Sequence, residues 1–274
     1  MIELLSFGDK LDIGKYQVHS RFEKVINLVS GESLVSIVKE EIGRGPLNII
    51  LGNLDLTEVK ALTISHDFLE INRSKIELNP ARRYCSRLNL SEKPGAWNRY
   101  ANLTYFKECL VEYSPAKSLA VILDPKRERE FTSSVEKEML DLFKNSLGCS
   151  FGHYSLNNVA QLKGCGFGLT PSGDDLIAGA ITGFHVIQRL ENKDLWEKIN
   201  YLYNAAKGTN MIVNAMLRCA HDGYLIETYH RLLDAVFYRD RAAIREQTKR
   251  LIQIGETSGA DWGVGLYMAL KSAA

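Results

Sequence analysis

One stretch of the sequence combines closely spaced glycines with side chains that bind anions or transfer protons. Residues 164–175 read Gly-Cys-Gly-Phe-Gly-Leu-Thr-Pro-Ser-Gly-Asp-Asp and continue into an apolar helical run. Alternating glycines predict backbone with positive φ or a close approach to a ligand. The spacing predicts that Ser172 caps the helix, with Asp175 three residues later in a capping box. The positive end of such a helix, beside a glycine loop, predicts an anion site.

A shorter copy of this pattern occurs near the end of the chain. Residues 255–265 read Gly-Glu-Thr-Ser-Gly-Ala-Asp-Trp-Gly-Val-Gly, so that a second Ser-Gly-x-Asp begins a second helix. Both helices carry glycines four residues apart, which predict flat faces suited to close helix packing: Gly179 and Gly183, and Gly259 and Gly263. We therefore expect the two helices to cross or lie side by side, with their N-termini forming one site that has several free N–H groups.

The residue types at these helix starts indicate two kinds of chemistry. Backbone N–H groups and hydroxyls suit a phosphate or carboxylate, whereas the carboxylates suit Mg²⁺ or proton transfer. The candidate catalytic residues are Asp174, Asp175 and Asp261. Asp174 is the freer acid of its pair and the candidate metal ligand; the cofactor stays unknown, with Mg²⁺ possible. The candidate ligand-binding residues, including a third helix start at Thr209, are Gly166, Gly168, Thr170, Ser172, Gly173, Thr209, Asn210, Thr257, Ser258 and Gly259.

A structural interpretation competes with this one. Ser-x-x-Asp is an ordinary capping box, and a single copy favours a structural role. Two copies, each with glycine after the serine, favour a ligand site. The run lacks the Gly-Lys-Ser/Thr of a P-loop, and its glycine spacing differs from the dinucleotide-binding fingerprint.

Composition narrows the function classes. The chain has 274 residues, 34 basic and 33 acidic, so its net charge of +1 does not favour nucleic acid or a membrane surface. The residues after Met1 do not predict a signal peptide, and the longest apolar run, 176–187, is too short to cross a bilayer. The five scattered cysteines predict reduced thiols and a cytoplasmic protein.

Hydrophobic patterning predicts an α+β protein with two parts. Residues 1–90 show short strands between turns, including a hairpin of 24–30 with 33–38, and predict a β-rich barrel or sandwich-like domain. Residues 91–127 are expected to connect it to a C-terminal α-helical domain, 128–274, because helical spacing dominates from about residue 128. Six helices are expected after the glycine loop: 173–189, 194–206, 210–221, 225–237, 241–254 and 259–272.

The two signatures, in residues 164–175 and 255–261, resemble a bacterial family long called uncharacterised and at times labelled carboxylase. That family includes a subunit of the oxamate carbamoyltransferase of anaerobic allantoin and purine degradation. The resemblance implies transfer of a carbamoyl group between oxalurate or oxamate and phosphate, giving carbamoyl phosphate, by a complex of several different subunits. The Ser-Thr-Arg-Thr-Arg signature of ordinary carbamoyltransferases is missing, which implies a different fold.

Three functions remain open from the sequence. The first is a carbamoyltransferase subunit that binds a small anion such as phosphate, carbamoyl phosphate or a short carboxylate, together with other enzyme subunits. The second is a kinase-like or carboxylase-like enzyme that uses a nucleotide and Mg²⁺. The third is a non-catalytic subunit for ligand sensing or assembly.

Overall fold

The computed structural model describes residues 2–90, 96–148, 158–166 and 170–272. The chain forms two compact units. The first consists of Met1–Leu88 and Tyr224–His230, and the second of Asn89–Gly223 and Arg231–Ala274. The predicted domain ranges, with a connector at 91–127, stay a prediction.

The first unit is built on one curled sheet of nine strands in the order β8-β7-β6-β2-β3-β4-β5-β1-β9. The strands are β1 Glu3–Gly8, β2 Gly14–Arg21, β3 Val25–Ser30, β4 Ser33–Val38, β5 Asn48–Gly52, β6 Ala61–Ile64, β7 Phe68–Ile71, β8 Ser74–Glu77 and β9 Arg83–Tyr84. Neighbours pair antiparallel except β4 with β5 and β1 with β9. Inward-facing aliphatic side chains such as Leu28, Val35 and Ile49 are fully buried and form its core.

The predicted hairpin is confirmed by β3 and β4, which pair from Val25 with Val38 to Ser30 with Ser33. Gly31 has a φ of +58°, in the left-handed region that glycine adopts easily in tight turns. Strand β2 was not predicted, because its sequence, Gly-Lys-Tyr-Gln-Val-His-Ser-Arg, is mostly polar and buries fully only Tyr16.

The second unit is helical. Its helices are α1 Ala96–Tyr113, α2 Ser134–Ser146, α3 Ser172–Glu191, α4 Trp196–Ala206, α5 Met211–His221, α6 Glu227–Tyr238, α7 Arg241–Leu251 and α8 Ser258–Lys271. The first residues of α6, up to His230, belong to the first unit. Short 3-10 helices include Leu119–Ile122 and Val159–Leu162. A β-rich N-terminal half followed by a helical C-terminal half confirms the predicted α+β class.

Helices α3 and α8 form the centre of the second unit, and both are buried over nearly their whole length. A Cβ added at Gly179 would lie 2.0 Å from the Trp262 carbonyl oxygen, and one at Gly265 would lie 2.0 Å from that of Leu176. The two backbones are therefore in direct contact. One turn beyond Gly179, Gly183 meets Leu266 and Ala269, which lie one to two turns beyond Trp262 on α8. The contacts therefore advance together along both helices, which run in the same direction and begin at the same end.

The predicted packing face of α8 was wrong in its residues. Gly259 lies against the Leu251 carbonyl oxygen, which would be 1.9 Å from an added Cβ, and Gly263 faces the side chains of Leu110 and Leu251. Gly265 is the glycine of α8 that meets α3.

Candidate functional site

The two motif helices begin next to each other. The hydroxyl oxygens of Thr170, before α3, and Ser258, at the start of α8, are 2.8 Å apart. Thr170 also donates to Asp175 Oδ2 over 3.1 Å. The prediction that the two N-termini meet is therefore confirmed, and we call the resulting group of side chains the joined helix starts. It consists of Thr170, Ser172, Asp174, Asp175, Thr257, Ser258 and Asp261.

The predicted capping boxes were wrong. Helix α3 is preceded by Pro171 at its N-cap and α8 by Thr257, and neither makes a side-chain capping bond. Ser172 and Ser258 are each the first helical residue, one position later than predicted. Because each residue turns the direction of a helical side chain by about 100°, the serines point toward the other helix instead of toward their own N–H groups.

Asp175 lies inside the joined helix starts, with 2% of its surface exposed. Burial raises the pKa of its carboxyl well above the usual range, and the nearby charge of Asp261 raises it further. Hydrogen bonding from Ser258 and Thr170 acts in the opposite direction. Asp175 therefore faces the second motif, whereas the sequence assigned it to its own helix cap.

Asp261 is completely buried. Its Oδ1 accepts a 2.6 Å hydrogen bond from the backbone N–H of Leu119, whereas its Oδ2 has no hydrogen-bond partner among the described residues. Burial raises the pKa of this carboxyl to about 6; the Leu119 N–H and then the hydroxyls of Ser172 and Thr257 act against that rise. Each motif serine thus acts on the acid of the other helix.

Asp174 has a different role from the predicted free acid. It is 3% exposed and accepts a 3.1 Å hydrogen bond from the backbone N–H of Gly164. Burial raises its pKa, whereas the Gly164 N–H and the charge of Lys163 lower it. Asp174 therefore holds the glycine loop onto α3.

The motif glycines stand where a side chain has no room. Gly166 has a φ of +117°, and an added Cβ would lie 2.5 Å from the Ser172 nitrogen. A Cβ at Gly173 would lie 1.9 Å from the Leu162 carbonyl oxygen, the same arrangement as Gly259 has with Leu251. The predicted ligand-binding residue Gly168 lies outside the described residues.

Most N–H groups at the two helix starts already have acceptors, which corrects the expectation of several free ones. The N–H of Gly173 donates to Cys165 O, and the N–H groups of Asp174 and Asp175 donate to Pro171 O. In α8, Gly259 N–H donates to Ile254 O, and Asp261 N–H to Thr257 O. Hydroxyl groups are therefore the main polar groups that the joined helix starts offer to a ligand.

The third predicted helix start lies at α5. Asn210 caps this helix by accepting from Ile212 N–H and Val213 N–H, over 3.0 and 3.2 Å. Thr209 is exposed. Lys163, beside the glycine loop, donates to the Lys207 carbonyl oxygen just before this start. Participation of Thr209 and Asn210 in an anion site stays a prediction.

Two contributions were not found from the sequence. The Leu119 N–H comes from a 3-10 helix 142 residues away from Asp261, and no sequence signal marks a backbone donor of this kind. Lys163 directly precedes the first motif glycine, and this position was a signal available from the sequence, whereas the effect of its charge on Asp174 is seen only in the structure.

The described residues contain no group of three His, Cys, Asp or Glu side chains arranged to hold a metal ion. The described residues also include no helix with the length and apolar character needed to cross a membrane.

Comparison with models of protein families gives two matches along the chain. Residues 162–270 match the model described as oxamate carbamoyltransferase subunit AllH, and residues 2–91 match the AllH family N-terminal domain. The first match includes α3, all of α8 except its last residue, and all seven residues of the joined helix starts. No curated protein and no solved structure matches the chain significantly. The two matches together cover most of the sequence, and the chain belongs to the AllH family of oxamate carbamoyltransferase subunits.

Proposed function

We propose that the joined helix starts are the small-anion site that this chain contributes to a carbamoyltransferase complex. The observation that carries the proposal is the 2.8 Å contact between Thr170 and Ser258, which brings two glycine-flanked helix N-termini to one place. The two helices are parallel, and their adjacent N-termini carry partial positive charge, which favours negative charge between them. Thr170, Thr257 and Ser258 are half-buried, so their hydroxyls are within reach of a bound ion.

The proposed ligands are oxamate, phosphate and carbamoyl phosphate. Transfer of a carbamoyl group between oxamate nitrogen and a phosphate oxygen passes through a state with negative charge on the carbonyl oxygen, and oriented hydroxyl donors stabilise such charge. The family description names a subunit, and we infer that further subunits complete the enzyme. The reaction fits the breakdown of allantoin and purine nitrogen that the resemblance implies.

Calorimetric titration of the full chain with oxamate tests the proposal. We expect Thr170→Val and Ser258→Ala each to weaken binding by about tenfold to a hundredfold, since loss of one hydrogen bond to a charged group costs roughly 1.5–3 kcal/mol. Ser134→Ala is the matched control: Ser134 is also the first residue of a helix, α2, but it is exposed and lies outside the joined helix starts.

The result that contradicts the proposal is equal affinity in wild type, Thr170→Val and Ser258→Ala, or no binding by the wild type. A chain that binds oxamate and is required in the complex, but whose Ser258→Ala variant leaves turnover by the reconstituted complex unchanged, acts in sensing or assembly instead.

A further inference from the structure

One carboxyl oxygen at the joined helix starts has no hydrogen-bond partner. Asp261 Oδ1 accepts from the Leu119 N–H, whereas Asp261 Oδ2 is bonded to none of the described residues, in a side chain with 0% exposure. A buried polar atom without a partner costs free energy, and most buried polar atoms in native proteins are hydrogen-bonded. The exception at Asp261 therefore indicates a functional use of Oδ2.

The Asp261 carboxyl lies among the other polar groups of the joined helix starts. The hydroxyls of Ser172 and Thr257 both act on it, although neither is hydrogen-bonded to Oδ2. Thr257 is half-buried, so that this one side chain extends from the neighbourhood of the carboxyl to the protein surface. A ligand that contacts the Thr257 hydroxyl is thus placed close to Asp261.

The surroundings of Asp261 offer no further donor for this oxygen. The N–H groups of Gly259 and Asp261 itself donate to backbone carbonyl oxygens, and the Leu119 N–H is bonded to Oδ1. Among the described residues, no cation forms an ion pair with Asp261. A ligand made only of acceptor oxygens leaves Oδ2 without a hydrogen bond, whereas a ligand that carries N–H groups supplies one.

We propose, on the basis of the anion site argued above, that Asp261 determines specificity by accepting a hydrogen bond at Oδ2 from the amide N–H of a carboxamide ligand. Oxamate has such an amide next to its carboxylate, and carbamoyl phosphate has the same amino-carbonyl group next to its phosphate. The charged end of the ligand lies at the half-buried hydroxyls of Thr170 and Ser258, and the amide end lies at Asp261.

The selectivity follows from the cost of an unpaired buried atom. A site that is built to bond a ligand N–H rejects the analogue that lacks this group, because its own polar atom then stays unpaired. The joined helix starts therefore select an anion with an amide group over an anion of the same charge and shape without one.

Calorimetric titration of the full chain with oxamate and with pyruvate tests the proposal. Pyruvate has a methyl group where oxamate has its amino group, and the two anions have the same charge and nearly the same shape. At pH 8 the Asp261 carboxyl, whose pKa burial raises to about 6, is ionised and accepts hydrogen bonds. We expect wild type to bind oxamate more tightly than pyruvate by about tenfold or more.

Asp261→Asn exchanges an acceptor for a donor at one position. The asparagine oxygen is still able to accept from the Leu119 N–H, and its NH₂ group then takes the place of Oδ2. We expect the preference for oxamate over pyruvate to disappear or reverse in this variant, whereas a purely structural role of Asp261 weakens both ligands equally.

Asp240→Asn is the matched control, because Asp240 caps α7 outside the joined helix starts and asparagine caps equally well. Its preference for oxamate should equal that of wild type.

The results that overturn the proposal are distinguishable. Equal affinity of wild type for oxamate and pyruvate overturns amide recognition and leaves the anion site standing, whether or not Asp261→Asn folds. An unchanged preference in folded Asp261→Asn overturns the role of Asp261 in the same way. Absence of binding of both ligands by wild type overturns the anion site and the amide recognition together.

Discussion

At the scale of single residues, Asp174 and Asp175 are neighbours with different surroundings. Asp174 accepts from the Gly164 N–H and holds the loop, whereas Asp175 faces Thr170 and Ser258. Successive side chains on a helix point about 100° apart, so two adjacent acids reach different neighbours. Mutations of the two acids are therefore expected to have separate effects.

We predict that Asp261 makes stability depend on pH in a direction unusual for an aspartate. Its pKa is raised from 3.8 in the unfolded chain to about 6 in the folded one, so the folded state holds the proton more tightly. The stabilisation is complete below pH 3.8 and is lost as pH rises through about 6. The free energy of unfolding of wild type relative to Asp261→Asn should fall over this window, as measured by urea denaturation.

Asp240→Asn is the control for a general effect of removing an acid at a helix start, because Asp240 caps α7 and lies outside the joined helix starts. A difference between wild type and Asp261→Asn that stays constant from pH 4 to pH 7 would falsify the pH prediction.

At the scale of elements, the contact between α3 and α8 determines where the joined helix starts lie. Gly179 and Gly265 allow the two backbones to touch, and each motif serine then reaches the acid of the opposite helix. A side chain added at this contact finds no free space, because protein interiors are close-packed, and it therefore pushes α3 and α8 apart. Such a separation also moves the hydroxyls and carboxyls of the joined helix starts apart.

We predict that Gly265→Ala destabilises the chain by about 3 kcal/mol or more, because its Cβ would overlap the Leu176 carbonyl oxygen of α3. Gly263→Ala is the matched control on the same helix. Its Cβ would lie 2.8 Å from Leu110 Cδ2 and 2.9 Å from Leu251 Cδ2, which are ends of side chains that rotate. Urea unfolding midpoints measure both variants, and equal midpoints contradict the role assigned to Gly265.

At the scale of the whole molecule, the first compact unit is built from two segments that are far apart in the sequence. The shorter one, Tyr224–His230, lies far beyond the other residues of that unit, Met1–Leu88. Leu225 N–H donates to Ser86 O over 2.8 Å, and the Tyr84 hydroxyl donates to Leu225 O over 3.1 Å. His230 contacts the same Ser86 oxygen over 3.0 Å. The sheet unit is therefore completed by a distant segment.

We expect a fragment of residues 1–91 to unfold at a lower temperature than the corresponding sheet in the full chain, because it lacks these three bonds. Tyr84 and the Ser86 carbonyl would lose their partners, at roughly 1 kcal/mol for each hydrogen bond. Thermal unfolding followed by circular dichroism tests this, with the fragment fused through a flexible linker to residues 224–230 as the control. Identical midpoints for the fragment with and without that segment refute the expectation.

Much of the fold was predictable because it rests on local patterns. Helical spacing gave α3 to α8 to within a few residues, and the hairpin of β3 and β4 followed from two apolar runs around Gly31. Strand β2 was missed because it has few apolar residues, and it is held by pairing with β3 and β6.

By itself, the sequence determined the α+β class, the two Ser-Gly-x-Asp helix starts and the resemblance to the family. Tertiary structure decided which groups meet at those starts: Thr170 with Ser258, 88 residues apart, and Asp261 with Leu119 N–H, 142 residues apart. It also moved both serines from the cap to the first helical residue. Local spacing is enough to predict a helix, because it reflects hydrogen bonds and side chains within one segment. The partner of a buried side chain depends instead on how distant segments pack. A shift of one residue in the helix start turns that side chain by about 100°.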